Sequence, residues 1–290
     1  MRVVHISDPH LTHLHDHDFL SLRGKRWLGF LSWQRRRRKI HLRNRLDRLI
    51  SAVQREHADI VAVTGDLTQL GLESEVTQAT RWLEELRAGE LLLVPGNHDF
   101  YRPDSIKLVM EQWRSFLLYD KDRNRFPGTW SRDGLRIIGL CSAFPAPFWS
   151  AQGEIGASQL RHLDDLLRTA PGELSLLLMH HPPVSGLCAG RKALRDAPSL
   201  QAVLEKYPGN VVLHGHLHRT SYRKLGASTH VLGIASASDA ASDPGAAYRV
   251  LDFERQARHW VVDSSVKAVC PDGSSKVVEQ RQLFIEHATK

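Results

Sequence analysis

The chain has 290 residues, of which 42% are apolar and 24% charged, so it can bury a large core and its composition argues against disorder. Its three cysteines, Cys141, Cys188 and Cys270, lie far apart, which argues against a disulfide framework and favours a reducing compartment. No apolar run approaches the roughly 20 residues that cross a bilayer, and the first residues leave no room for a signal peptide. We therefore expect a cytoplasmic protein, with peripheral contact to the inner face of the membrane as the alternative.

The net charge of +7 comes from one segment of the chain. Residues 19–50 contain 11 Lys or Arg and a single acid, Asp47, so this segment carries +10 and the rest of the chain −3. The basic character is therefore local, which argues against a protein that binds nucleic acid over its whole surface.

Five short apolar runs predict buried strands, because each is rich in Val, Ile or Leu and is bounded by turn residues. They cover residues 3–6, 60–63, 91–94, 174–179 and 211–213. Amphipathic stretches at 43–56, 73–87 and 158–168 have the spacing of helices, the last with Ser158 as its predicted N-cap. The alternation of strands and helices predicts an α/β fold.

The C-terminal third of the chain is more difficult to interpret. Residues 229–234, 248–253 and 259–262 have the pattern of antiparallel strands, which we expect to complete a second sheet. We predict a catalytic domain over residues 1–263 and a C-terminal tail over residues 264–290, whose structure the sequence does not indicate.

A polar cluster follows each of the five predicted strands. In chain order the clusters are Asp8-Pro9-His10, Gly65-Asp66, Gly96-Asn97-His98-Asp99, His180-His181-Pro182-Pro183 and His214-Gly215-His216-Leu217-His218. Because ligands bind beyond the carboxyl ends of strands in α/β sheets, we expect the clusters to meet at one place. Their carboxylate, imidazole and amide groups suit hard-to-borderline divalent metals.

The order of these clusters resembles the calcineurin-like metallophosphoesterase superfamily, whose motifs read D-x-H, GD, GNHD or GNHE, H and GHxH. All five occur in order between residues 8 and 218. The His180-His181-Pro182-Pro183 segment, and Gly153-Glu154-Ile155 followed by Gln159-Leu160, look most like bacterial class III cyclic nucleotide and glycerophosphodiester phosphodiesterases. The resemblance implies a four-layer α/β/β/α sandwich of two mixed sheets with a two-metal site at one rim.

The resemblance also implies two divalent metal ions and their ligands. The first metal would be bound by Asp8, His10, Asp66 and His218. The second would be bound by Asp66, Asn97, His180 and His216, so that one carboxylate bridges the pair. We prefer His180 to His181 because the family places its ligand immediately after the strand. Mixed oxygen and nitrogen ligands admit Mn, Fe, Zn or Co.

Two further residues have roles in the family. The histidine at the position of His98 donates to a phosphate oxygen or protonates the leaving group, and Asp99 would orient it. Two divalent ions, two aspartates and a bridging hydroxide leave a charge of about +1, which suits an anionic phosphate. A third carboxylate would cancel that charge, so the neutral amide of Asn97 fits its position.

Residues 23–39 depart from the compact family members, which pass quickly from D-x-H into the first helix. Trp27, Leu28, Phe30, Leu31 and Trp33 alternate with Lys and Arg, a pattern typical of a segment that lies on anionic lipid. The segment follows a predicted ligand strand, so we expect it near the mouth of the site. Packing of its aromatic residues on the domain, or an oligomer contact, explains the pattern equally well, and single-stranded nucleic acid is a third interpretation.

A few residues near the motifs have simpler explanations. His13, His15 and His17 form a spaced run beside the site, which favours a solvated loop over an additional metal site. Cys188 has no evident partner that would stabilise a thiolate, so we assign it no catalytic role.

Three functions remain to be compared. The first is hydrolysis of a small phosphodiester, such as a cyclic nucleotide or a glycerophosphodiester, by metal-activated hydroxide. The second is hydrolysis of a lipid-linked nucleotide such as UDP-2,3-diacylglucosamine by a membrane-associated pyrophosphohydrolase, which the basic and apolar insertion motivates. The third, a non-catalytic scaffold, predicts damaged ligand positions, and all seven are intact. We therefore expect a metal-dependent phosphoric ester hydrolase.

Overall fold

The computed structural model describes residues 1–11, 22–86, 89–169, 172–241 and 245–286, and of Arg36 only the backbone. The strands in these residues are β1 (Arg2–Ile6), β2 (Ile60–Val63), β3 (Glu90–Leu93), β4 (Gly128–Arg132), β5 (Leu135–Gly139), β6 (Leu174–Leu178), β7 (Asn210–His214), β8 (Ser221–Leu225), β9 (Thr229–Gly233), β10 (Ala247–Arg255), β11 (His259–Val269) and β12 (Ser275–Glu286). The α-helices are α1 (Lys25–Ser32), α2 (Arg38–Ile40), α3 (Arg43–Gln54), α4 (Glu73–Glu85), α5 (Pro103–Gln112), α6 (Gly156–Arg168) and α7 (Ala197–Lys206).

The strands form two six-stranded sheets, in the orders β12-β11-β10-β1-β2-β3 and β4-β5-β6-β7-β9-β8. In the first sheet β1, β2 and β3 are parallel, and β10 to β12 continue it in antiparallel pairs. In the second sheet β5, β6, β7 and β9 are parallel, with β4 and β8 antiparallel at the edges. Both sheets are mixed, as predicted.

Three apolar cores separate four layers. Successive side chains of a strand point to opposite faces, so Val3 of β1 packs between the sheets while Val4 faces outward. Helices α3 and α4 cover that outer face, with Leu49 in the shared core. Helices α6 and α7 cover the second sheet in the same way, with Leu163 and Leu200 in their core. The predicted α/β/β/α sandwich is confirmed.

The five strands predicted from apolar runs are observed with each end within one residue. The three predicted helices are also observed, with ends shifted by at most two residues. The predicted N-cap Ser158 was wrong, because α6 begins earlier, at Gly156. The carboxylate of Asp196, from a distant part of the chain, accepts hydrogen bonds from the N–H groups of Ile155 and Gly156 and so supplies the cap.

The predicted placement of the last strands needs a correction. Strand β9 does belong to the second sheet, but it runs parallel to β7. Strands β10 and β11 lie beside β1 in the first sheet. An alternating strand packs equally well on either sheet, so its sequence does not choose the partner. The predicted boundary after residue 263 falls inside β11, and β12 pairs with that strand; the division into domain and tail stays a prediction.

The basic segment forms a short helical insertion: α1, a π-helical turn (Trp33–Arg37) and α2. Phe30 and Trp33 pack against Leu70 and Tyr101 of the domain, as one interpretation of the sequence required. Trp27 and Leu28 instead remain 49% and 45% exposed. Among the described residues, no helix is both long and apolar enough to cross a bilayer.

Candidate metal centre

The loops that follow β1, β2, β6 and β7 are joined by hydrogen bonds between backbone groups. The N–H of Asp8 donates to the carbonyl of Gly65 at 3.0 Å, and the N–H of Gly215 donates to that of His180 at 3.1 Å. The N–H of His216, which follows β7 of the second sheet, donates to the carboxylate of Asp8, which follows β1 of the first sheet, at 3.0 Å. The polar clusters therefore meet at one edge of the sandwich.

Ligand-type atoms of these clusters lie close enough to share a metal ion. Three groups have such atoms within 4.8 Å of one another: Asp8, His10 and Asp66; Asp66, His180 and His216; and His10, His41 and His218. The Asp66 carboxylate lies 3.2 Å from His180 Nε2, and Asp8 lies 3.1 Å from His218 Nε2. Asp66 belongs to two of the groups, as a bridging ligand would.

Three of the predicted ligand histidines have one ring nitrogen occupied by a backbone carbonyl. The carbonyls are those of Thr68 for His10 Nδ1 (3.1 Å), Thr64 for His180 Nδ1 (2.7 Å) and Lys192 for His216 Nε2 (3.0 Å). A carbonyl only accepts, so that nitrogen carries the proton and the other nitrogen is the one that can face a metal. Such a contact is how proteins orient imidazole ligands toward a metal.

His181 differs from its neighbour His180. Its Nδ1 lies 2.8 Å from the hydroxyl of Ser142, and its Nε2 lies 3.2 Å from the carbonyl of Ala151. Both ring nitrogens are therefore used by the protein. This arrangement favours His180 as the ligand of the pair, which agrees with the preference drawn from the sequence.

Some polar atoms at this edge are buried without a partner at hydrogen-bond geometry among the described residues. They are Asp8 Oδ1, Asn97 Oδ1 and His180 Nε2. Leaving such a group unsatisfied costs about 1–3 kcal/mol. All three belong to predicted ligands, and the two divalent cations of the predicted centre would satisfy them. The oxygen and nitrogen donors present therefore fit such an ion.

The electrostatics of Asp66 and His180 point the same way. Burial raises the pKa of Asp66, but the charges of His180, His98 and His10 together hold it well below its usual value. Burial lowers the pKa of His180, but the carboxylates of Asp66 and Asp8 and the hydrogen bonds of the ring together raise it to about 9. The pair therefore attracts positive charge, a proton or a metal ion, to the space between these side chains.

The backbone at the predicted ligands has an uncommon conformation. Of the eight described non-glycine residues with positive φ, five are predicted ligands: Asp8, His10, Asp66, His216 and His218. Residues other than glycine adopt this region at a cost, and the cost is concentrated at functional sites. Close approach adds a further constraint, because a Cβ on Gly96 would overlap the Asp66 carboxylate.

The predicted role of Asp99 needs a correction. Its carboxylate does not contact the His98 ring. It accepts hydrogen bonds from the N–H groups of Asp66 (2.8 Å), Leu67 (2.9 Å), Thr68 (3.0 Å) and Gly96 (2.9 Å). These four amide donors engage both oxygens of the carboxylate, which leaves it little capacity for the His98 ring. Asp99 therefore joins two site loops instead of orienting His98.

His98 is held by other groups. Its Nδ1 donates to the carbonyl of Gln69 at 2.6 Å, and its backbone N–H donates to the Asp66 carboxylate at 2.7 Å. Its ring stacks on Tyr101, with centroids 5.9 Å apart. Burial lowers the pKa of His98 to about 4, and the charge of Arg37 also lowers it. Nε2, the ring nitrogen that contacts no carbonyl, is thus the atom available for proton exchange.

The structure adds two residues that the sequence did not indicate. His41 is buried, with its ring 4.4 Å from that of His10 and 5.3 Å from that of His218. Arg37 Nη1 lies 3.2 Å from both ring nitrogens of His98. Arg37 belongs to the insertion and His41 directly follows it, where no strand precedes a polar cluster, so the signal that identified the other residues is absent. His13, His15 and His17 lie outside the described residues.

A cavity of about 320 Å³ opens at the predicted site. Asn97, His98 and Tyr101 form part of its wall, helix α1 of the insertion forms a second side, and residues 146–151 form a third. The volume suits a small ligand of about nucleotide size.

The sequence of this chain is similar to those of proteins that are named as cyclic nucleotide phosphodiesterases. The chain is 28% identical over 185 residues to a 3′,5′-cyclic-nucleotide phosphodiesterase of Nostoc sp., covering 63% of this chain and 64% of that protein. It is 33% identical over 165 residues to a cAMP/cGMP dual specificity phosphodiesterase of Mycobacterium tuberculosis, covering 55% of this chain and 48% of that protein. The chain thus spans about half to two thirds of the length of these relatives.

A solved structure shows the same fold. A dimetal phosphatase from Danio rerio superposes with a TM-score of 0.65 at 16% identity, covering 98% of each chain. The family model described as calcineurin-like phosphoesterase matches residues 1–220, which include all five polar clusters. The chain therefore belongs to the calcineurin-like phosphoesterase family.

Proposed function

We propose that the protein is a binuclear metal-dependent phosphodiesterase. The observation that carries this proposal is that Asp66 is shared by the two groups made of predicted ligands alone, one with Asp8 and His10 and the other with His180 and His216. The first metal would be held by Asp8, His10, Asp66 and His218. The second would be held by Asp66, Asn97, His180 and His216. Family membership supports the use of divalent metals, and the donor types admit Mn, Fe, Zn or Co.

The residues around the cavity have separate tasks in this proposal. When bound, the two metals supply Lewis-acid stabilisation of the phosphate and activation of the attacking water. His98 takes up a second proton at Nε2, the ring nitrogen not held by Gln69, when the negative charge of a bound phosphate favours the charged ring, and it then donates that proton to the leaving oxygen. The backbone contacts of Asp66 and His98 keep the proton donor at a constant position relative to the metal ligands.

The substrate we propose is a small phosphodiester, with cyclic nucleotides first. The two relatives above are named as phosphodiesterases of cyclic nucleotides, and the cavity has the volume for one. The test is a substrate panel on protein whose metal content has been measured, with cyclic AMP, bis(p-nitrophenyl) phosphate and a nucleotide-linked lipid side by side. Purified protein that holds about two metals per chain yet hydrolyses none of these would contradict the proposal.

A second candidate is a pyrophosphohydrolase that acts on a lipid-linked nucleotide at a membrane surface. Apolar side chains are exposed at the cavity mouth: Leu28 (45%), Phe148 (61%) and Trp149 (63%) line it, and Trp27 (49%) lies next to Leu28. The insertion around Trp27 and Leu28 is strongly basic. Aromatic and basic groups together favour contact with anionic lipid.

Vesicle binding separates the two candidates. We would compare sedimentation with vesicles of anionic and of zwitterionic lipid for the wild type and for Trp27→Glu, which places a charge at an exposed position outside the cavity lining. The membrane candidate requires binding to anionic vesicles that the substitution weakens, and faster hydrolysis of the nucleotide-linked lipid than of cyclic AMP. Equal sedimentation with both vesicle types, or none, would leave only the phosphodiesterase.

A further inference from the structure

The side chain of Arg37 reaches the predicted site from the insertion. Its Nη1 lies 3.2 Å from both ring nitrogens of His98, so the guanidinium contacts that ring. Its Nη2 donates to the carbonyl of Gly29 at 3.2 Å. Together with Asn97 and His98, Arg37 lines the cavity. The guanidinium is therefore placed where the phosphate of a bound ligand would lie.

Arg37 has no carboxylate within ion-pair distance among the described residues, and its Nε is buried without a hydrogen-bond partner. Other arginines buried in this fold are paired: Arg26 lies 2.7 Å from Asp104, and Arg249 lies 3.2 Å from Glu279. Burial lowers the pKa of Arg37, which reflects the cost of holding this charge out of water. An uncompensated guanidinium in a cavity has donors available for an anionic ligand.

The rest of the cavity wall has the same sign of charge. Lys25, Arg191 and Lys192 also line it, and none of the described Asp or Glu side chains does. The electric field of such a wall attracts anions and raises their local concentration. Asn97, a predicted metal ligand, lines the same cavity, so an anion bound there would lie between the basic wall and the predicted metal centre.

The position of Arg37 is a built feature and not a chance contact of a surface helix. Gly29 brings α1 against the domain, because a Cβ there would overlap the hydroxyl of Tyr101 and the side chain of Leu70. Arg26 is held by Asp104, by the carbonyl of Leu70 and by other groups of the domain. At the other end, the N–H of Leu42 donates to the carbonyl of Ser238 at 3.0 Å. Arg37 is therefore held at the cavity from both sides.

We propose that Arg37 binds non-bridging phosphate oxygens of the substrate, so that the insertion supplies part of the active site. This inference rests on the proposed phosphodiesterase function. On ligand binding, the planar guanidinium turns its donors from the His98 ring to two phosphate oxygens, the geometry for which arginine is suited. Arg37 is then a substrate-binding residue, while the exposed Arg35 and Arg38 near it are not.

The test measures binding of inorganic phosphate to manganese-loaded protein by calorimetry, for the wild type, Arg37→Ala, Arg37→Lys and Arg38→Ala. Arg38 is exposed, belongs to α2 and does not line the cavity, so it is a matched control for loss of one positive charge. We expect the dissociation constant to rise about 10- to 100-fold in Arg37→Ala, the range for a lost hydrogen bond to a charged group. Arg37→Lys should be intermediate, and Arg38→Ala should match the wild type. Metal content and melting temperature are measured for each variant.

Several outcomes would overturn the inference. An unchanged phosphate affinity in Arg37→Ala, with turnover lowered, would mean that Arg37 only positions His98. Equal losses in Arg37→Ala and Arg38→Ala would mean that only the overall charge matters. If Arg37→Ala does not fold, Arg37→Lys decides, because it must still bind phosphate more weakly than the wild type. If the metal-loaded wild type neither binds phosphate nor hydrolyses any phosphodiester, the proposed function is wrong as well. If the wild type is active and the Arg37 variants bind phosphate as tightly as it does, only this inference is wrong.

Discussion

The carboxylate of Asp99 accepts a hydrogen bond from the backbone N–H of Asp66 at 2.8 Å, which ties the loop after β3 to the loop after β2. Asp99→Ala would leave this N–H and those of Leu67 and Gly96 without their acceptor. Each buried unpaired group costs about 1–3 kcal/mol. We expect urea unfolding of the metal-free protein to show a loss of at least about 3 kcal/mol.

A control for this measurement is Asp47→Ala, which removes an exposed ion pair with Arg43. Such pairs contribute about 0–1 kcal/mol, so the free energy of unfolding should change little. An Asp99→Ala protein within about 1 kcal/mol of the wild type would show that water replaces the lost acceptor.

Asp66→Ala should remove both metals and abolish activity, because this carboxylate belongs to two ligand groups. Asp8→Ala is the matched comparison. Asp8 belongs to one of those groups, so this variant should keep part of its metal. Metal content is measured by elemental analysis after dialysis. Equal losses in the two variants would argue against a bridging role for Asp66.

His98→Ala should lower turnover about 10²- to 10⁴-fold, the range for a lost general acid, with metal content unchanged. The exposed His57 serves as control, since His57→Ala removes an imidazole that is not a predicted site residue and does not line the cavity. Initial rates with bis(p-nitrophenyl) phosphate measure the effect. Full activity of His98→Ala would mean that water protonates the leaving group.

His41→Ala should weaken binding of the first metal about 10- to 100-fold, the size of effect seen when a group that supports metal ligands is removed. The reason is that His41 contacts the rings of both His10 and His218. Competition with a chelator measures the affinity. Ser238→Ala removes the hydroxyl 2.8 Å from His41 Nδ1 and should have a smaller effect of the same sign. Unaltered affinity in both would make His41 a packing residue.

The lowered pKa of Lys25 predicts that substrate binding depends on pH. Burial lowers the pKa of Lys25 to about 8, so its ammonium is charged below that pH and loses its proton as the pH rises through it. The attraction of Lys25 for an anion is therefore present below pH about 8 and lost above it. The substrate is bis(p-nitrophenyl) phosphate, whose charge is constant over this range. Its KM should be higher in Lys25→Met than in the wild type at pH 7. The two KM values should become equal by about pH 9.5, where Lys25 of the wild type has lost its proton. A constant ratio across this range would exclude Lys25 from binding.

The strands and polar clusters could be predicted because their signals are local. An apolar run bounded by turn residues and followed at once by carboxylates or histidines is visible within about ten residues. The partner of a strand is not local information, and this is why β10 and β11 were expected in the wrong sheet. The N-cap of α6 was missed for a related reason: Asp196 lies 40 positions from Gly156, whose N–H it accepts.

The sequence by itself determined the family, the order of the five clusters and the residue types available to bind metals. Only the tertiary structure decided which ring nitrogens face one another, that Asp99 serves backbone amides, and that His41 and Arg37 reach the site. The physical reason is that these contacts join residues far apart in the chain, and their geometry follows from how two sheets and an insertion pack. The sequence does not distinguish Arg37 from the other arginines of the run 35–38, and only the fold places it beside His98.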